Sequence, residues 1–137
     1  GVPFLVERDA DAVYAFLRAH DVELVCLAGY LRLFPIADDF RGRVLNIHPS
    51  LLPKFGGKGF YGDRVHRAVL DAGEAESGCP VHHADDRYDE GAPLVQRRVP
   101  VLPGDDVSTL AARVFEAECE AYPEAIARWA AGPSINV

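Results

Sequence analysis

A chain of 137 residues, 49% of them hydrophobic, is long enough to bury one real core and too short for two ordinary domains, so residues 1–137 read as a single unit. A formal charge of -7 and the lack of any Lys/Arg cluster exclude a nucleic-acid or anionic-membrane footprint, yet leave room for a small anionic substrate, whose pocket is set by local charges. No apolar run approaches the roughly 20 residues that span a bilayer, and no signal-peptide pattern opens the chain, so a cytoplasmic protein with no membrane partner is expected.

In chain order, Asp9 to His20 places Ala10, Val13, Phe16 and Leu17 at helical spacing, with Asp9 as N-cap. Val22 to Ala28, "VELVCLA", is a nearly continuous apolar run that suits a buried parallel strand ending at Gly29. Arg43 to His48 is the next strand, stopped by Pro49 and followed by the stiffening Pro53. Asp63 to Ala72 is a helix with Val65, Ala68, Val69 and Ala72 inward and Gly73 closing it. Two more strands are expected at Cys79 to Ala84 and Leu94 to Val101, around the acidic loop "DDRYDEGAP". Asp105 or Asp106 then caps a helix striped by Leu110, Val114, Ala117 and Ala121, which Pro123 breaks or restarts as a second helix to Ala131. The fold class is α/β. Its opening helix has no preceding strand to pack beside, and the expectation is a chain lacking the start of its own fold. Cys26, Cys79 and Cys119 are odd in number and far apart, and read as buried free thiols in a reducing compartment.

The chemistry concentrates in "VLNIHPSLLPKFGGKG". Side chains alternate along a strand, so Asn46 and His48 share one face at its carboxyl end, where open α/β sheets place their ligands. An amide can donate to a developing oxyanion, while an imidazole handles a proton near neutral pH; together they fit acyl or formyl transfer. Asp85, Asp86 and Asp89 can supply a carboxylate that charges the imidazole and orients a water, against the alternative of a solvated turn. His82 and His83 are adjacent and face opposite ways on a strand, no H-E-x-x-H spacing exists, and no metal is expected. His66 reads as a surface or supporting histidine. Glu118 sits at the edge of the helical stripe, while Arg113 is placed to satisfy the outer Glu116 three residues on.

"NIHPSLLPKF", "SGCPVHHADDRYDEGAPLVQRRVPVLPGDD" and "ARVFEAECEAYPEAI" together resemble phosphoribosylglycinamide formyltransferase, a family of folate-dependent enzymes of purine synthesis. The resemblance runs from about Val22 to Ala130, and "AGYLRLF" at Ala28 to Phe34 is similar to that family's folate-contacting segment. It implies a Rossmann-like open sheet of the formyltransferase type, truncated at the amino terminus. It also implies transfer of a formyl group from 10-formyltetrahydrofolate, as cosubstrate, to the amine of glycinamide ribonucleotide. Asn46 matches the family's catalytic asparagine, His48 its histidine and Asp89, in "YDEG", its aspartate. Folate contacts are implied for Arg32, Leu33, Phe34, Ala84, Asp85, Asp86 and, by a looser match, Arg8; Glu118 matches the glutamate that binds the ribonucleotide's glycinamide end. Small-molecule substrates are the implied partners, with no nucleic acid, for a monomer or homodimer.

Two departures stand out. The family's phosphate-cradling loop after its first strand has no counterpart here, and "KFGGKGFYGDRVH" is longer and richer in Gly and Lys than the family's usual connection. Lys54 or Lys58 are candidates for a compensating phosphate contact, or the segment is a plain surface loop. The competing readings are a formyltetrahydrofolate deformylase, another folate-dependent formyltransferase, an inactive folate-binding fragment, and a metal-dependent hydrolase using His48, His82 and Asp89.

Overall fold

The structure, a computed structural model, describes residues 1–85 and 92–132. Its elements are α1 (Ala10–Ala19), β1 (Val25–Leu27), a short 3-10 turn (Asp38–Phe40), β2 (Val44–Ile47), α2 (Asp63–Asp71), β3 (Glu76–His83), β4 (Pro93–Pro100) and α3 (Val107–Ala131). Four strands lie in the order β1-β2-β3-β4, with β1 and β2 parallel and the other pairs antiparallel. The result is a mixed open α/β sheet. No described helix is long and apolar enough to cross a membrane.

Alternation along β2 divides the core between two faces. Val44 packs with Tyr14 of α1 and with Phe34, Ile36 and Phe40, while Leu45 packs with Val69 of α2 and with Leu110, Val114 and Ala121 of α3. Asp9 caps α1 by accepting from the Ala12 N–H at 3.0 Å, as its position predicts. In α3 Leu110, Val114 and Ala121 of the expected stripe are buried and Ala117 is half-buried, and Asp106 and Thr109 form a reciprocal capping box.

Four expectations need correction. The strand expected from Val22 begins only at Val25, because the Val22 N–H bonds back to the Leu17 carbonyl at 3.1 Å and closes α1 instead of joining the sheet. β3 starts three residues before Cys79: Glu76 and Ser77, polar in sequence, pair with Pro100 and Val99 in a hairpin, and Arg98 meets Glu76 at 3.0 Å. Pro123 neither breaks α3 nor restarts it. It lies inside one continuous helix, exposed, and Cys119, whose carbonyl loses its usual donor, is exposed as well. Of the three free cysteines only Cys79 is buried; Cys26 sits on β1, the end strand of the described sheet, and is exposed like Cys119.

Candidate active site

β2 delivers Asn46 and His48 to its carboxyl end. In the parallel register Asn46 lies beside Leu27 of β1, and in the antiparallel register it lies opposite His82 of β3. His48 follows the last ladder residue, its backbone N–H donating to the Pro80 carbonyl at 3.1 Å. Its ring is 4% exposed, and Nε2 is 2.7 Å from the Phe55 carbonyl oxygen. A carbonyl only accepts, so Nε2 carries a hydrogen. Phe55 adopts φ 54°, a left-handed conformation uncommon outside glycine. The loop after Pro49 is thus folded back so that its own backbone fixes the imidazole.

These residues open onto a cavity of about 670 Å³, a size that suits a small organic ligand. One wall is the segment from Leu27 through Phe34, in which Tyr30 meets Phe34 edge-on at 5.4 Å; another is the loop from Gly57 to Gly62 with the first residues of α2, Asp63 and Arg64. Ala111, Val114, Phe115 and Glu118 of α3 complete it. Asn46, His48, Arg32, Leu33, Phe34, Ala84, Asp85 and Glu118 all line this space. Arg8 does not: it lies exposed ahead of α1, its N–H bonded to the Glu7 carboxylate. Asp86 and Asp89 lie outside the described residues. Lys58 lines the cavity, whereas Lys54 is bonded to Glu74 at 2.6 Å. Arg113 grips Asp105, at 2.6 and 2.9 Å.

Two histidines sit deeper in the site than their sequence positions suggest. His82, 1% exposed, lines the cavity opposite Asn46, and its Nδ1 is 3.0 Å from the His83 carbonyl. His66, expected as a surface or supporting histidine, is 5% exposed and lines the cavity too. Burial holds its pKa below 6.5, reinforced by His48 and opposed by Asp63, so His66 is neutral at pH 7. The signal for His82 lies in the strand pairing: once β3 pairs antiparallel with β2, one of the two adjacent histidines must face Asn46. No signal in sequence docks α2 so that His66 turns inward.

Burial pushes the Glu118 carboxyl above its ordinary value, and the Cys79 thiol up to about 11, where Glu118 adds to the effect. Among the described residues no three His, Cys, Asp or Glu side chains group as a metal site. The arrangement offers an amide donor, a fixed imidazole and a carboxylate reluctant to stay charged without a partner, around one space with apolar walls. That set suits acyl or formyl transfer.

Comparison with known proteins points to the same chemistry. Residues 6–126 match the family described as "Formyl transferase". The chain is 49% identical over 118 residues to the "Trifunctional purine biosynthetic protein adenosine-3" of Drosophila pseudoobscura pseudoobscura, covering 85% of this chain and 8% of that protein. It is 49% identical over 112 residues to the chloroplastic phosphoribosylglycinamide formyltransferase of Vigna unguiculata, covering 80% of this chain and 36% of that one. Among solved structures, glycinamide ribonucleotide transformylase 1 from Symbiobacterium toebii superposes with a TM-score of 0.82 at 43% identity, over 90% of this chain and 57% of that one. The chain therefore spans less than two thirds of the length of each of these relatives.

Proposed function

The chain belongs to the formyl transferase family, whose chemistry implies a folate-derived cosubstrate, and from that premise we propose that it transfers the formyl group of 10-formyltetrahydrofolate to the amine of glycinamide ribonucleotide. The observation that carries this reading is the convergence of Asn46, His48, Glu118 and the Arg32 to Phe34 wall on one cavity. The amine nitrogen bonds to the formyl carbon, the carbonyl oxygen becomes an oxyanion, and the bond to the folate nitrogen then breaks as that nitrogen takes up a proton. Asn46 donates to the oxyanion. His48 stabilises the developing charge and supplies the proton to the departing nitrogen. Asp89 keeps His48 protonated and holds the water through which the amine's proton leaves. Glu118 receives the ammonium or amide end of the acceptor, which returns to its carboxylate the counter-charge that burial withholds.

The pterin rests against Arg32, Leu33, Phe34, Ala84 and Asp85, with Asp86 as a further folate contact; Arg8, which lies away from the cavity, takes no part. One formyltransferase-like domain over residues 1–137, small-molecule substrates without nucleic acid, and a monomer or homodimer in the cytoplasm belong to the same reading. The charge of -7 supports the lack of nucleic acid, and the free thiols support the compartment.

The test is release of deformylated folate from 10-formyltetrahydrofolate, with and without glycinamide ribonucleotide. Turnover that requires the ribonucleotide, and that His48→Ala abolishes, is the expected result. Turnover indifferent to the ribonucleotide makes the protein a deformylase. Folate binding without turnover makes it a folate-binding fragment, and either outcome overturns the proposal.

A further inference from the structure

We propose that Tyr122 is a positioning residue for this reaction: its hydroxyl sets the spacing between the cavity wall that begins at Leu27, the strand that carries Asn46, and the helix that carries Glu118. The inference rests on the reading of the site given above. Tyr122 projects from α3 with its hydroxyl 2.7 Å from the Leu27 carbonyl and 3.0 Å from the Leu45 carbonyl. Both are acceptors, so the hydroxyl is the donor, with one hydrogen shared between two strands. Leu27 is the last residue of β1 and the first of the cavity wall, and Leu45 is the residue before Asn46. In the ladder Leu27 stands beside Asn46 itself. The bond therefore grips the two parallel strands at the point where each enters the site.

The third element is α3. Glu118 is four residues before Tyr122, one turn along the same face of the helix, and it lines the cavity. Whatever fixes Tyr122 against the sheet also fixes the distance from Glu118 to Asn46. Burial pushes the phenol well above its ordinary value, so it stays a neutral donor at any working pH. Packing alone does not explain the hydroxyl, since a phenyl ring fills the same space. A formyl carbon held between Asn46 and an amine at Glu118 is sensitive to displacement: moving reacting groups by about 1 Å can cost on the order of a hundredfold in rate.

Tyr122→Phe removes one oxygen and keeps the ring. Transfer is measured with both substrates varied, well below the melting temperature, beside a thermal melt and a titration with folic acid. The expected result is a kcat lower by about tenfold with KM for the ribonucleotide changed less than about twofold, in a variant melting within about 5 °C of wild type. A structural role alone moves the melt and leaves kcat per folded molecule unchanged. Equal kcat in Tyr122→Phe and wild type therefore overturns the proposal. If wild type itself transfers no formyl group, the functional reading fails separately, and the folic acid titration decides: weakening of about fivefold or more supports Tyr122 as the setter of the wall, and equal affinity overturns it.

Discussion

Beside Ala111, Val114 and Phe115, the Glu118 carboxyl meets a desolvated environment that favours its protonated form. With the folded value raised above the ordinary 4.5, the folded chain keeps a proton over a pH range in which the unfolded chain has released it, so stability falls as pH rises through that range. Glu118→Gln should accordingly melt higher than wild type at pH 7, and the difference should close as the pH is brought below 4.5. On the proposed function the same change would remove a charged contact to the ribonucleotide and should raise its KM by about tenfold or more. Thermal melts at pH 4 and pH 7 check the first half; a variant that melts lower at pH 7 shows that the ionised carboxylate already has a stabilising partner. At this scale the site was partly legible. The shared face of Asn46 and His48 follows from strand alternation, whereas the offset of Glu118 from the stripe of Leu110 and Val114 is equally that of a solvated helix flank. His66 was not legible, because its place depends on how α2 docks, and His82 becomes legible only once the antiparallel pairing of β3 with β2 is known; both are decided by tertiary packing.

Among the elements, α3 departs furthest from its sequence signal. A proline at 123 removes one backbone donor and crowds the carbonyl four residues back, so a break or a fresh start is the local expectation. The helix runs through it because both ends of the element are tied to the sheet. Arg113 reaches the Pro100 carbonyl at 2.9 Å and Arg128 the Leu94 carbonyl at 2.9 Å, while Trp129 donates to the Gly42 carbonyl at 2.8 Å. Leu110, Val114, Ala121 and Ala125 stay on one buried face across the proline. Long-range packing outweighs a local penalty here, as it does at β3, whose polar first residues gave no strand signal. The balance predicts the effect of Pro123→Ala. Alanine is favoured over proline in a helix interior by about 3 kcal/mol, and the looser unfolded chain returns about 1 kcal/mol of that. Because the existing helix has already relaxed around the ring, a net gain of about 1 kcal/mol is expected, read as a higher urea midpoint. Were residue 123 the first position of a separate helix, proline would be the favoured residue there, and the exchange would be neutral or costly.

The molecule as a whole is organised around β3, which bonds to β2 on one side and β4 on the other and sends Cys79 and Val81 into the core. Gly78 sits within it, buried and paired with Arg98. A glycine inside a strand marks a bulge or a close approach of backbone, and here it is the second. A Cβ at this position would lie 2.0 Å from the Arg97 carbonyl oxygen and 2.8 Å from the Leu51 side chain. Leu51 can rotate away, but the carbonyl belongs to the neighbouring strand and can move only with the ladder. Gly78→Ala should therefore cost about 3 kcal/mol, the upper end of what overpacking costs in a well-filled core. The consequence does not stop at stability. Leu51 lies in the loop whose Phe55 carbonyl holds His48, and the strand pushed against β4 at Gly78 is the one that, four residues on, places His82 opposite Asn46 of β2. The variant should thus lose urea midpoint and, in the fraction that remains folded, lose formyl transfer as well. Chemical denaturation followed by tryptophan fluorescence, beside activity per folded molecule, separates the two effects. A variant within about 0.5 kcal/mol of wild type would mean that β4 can withdraw from β3 without strain, and that the hairpin is not the rigid member from which the site is hung.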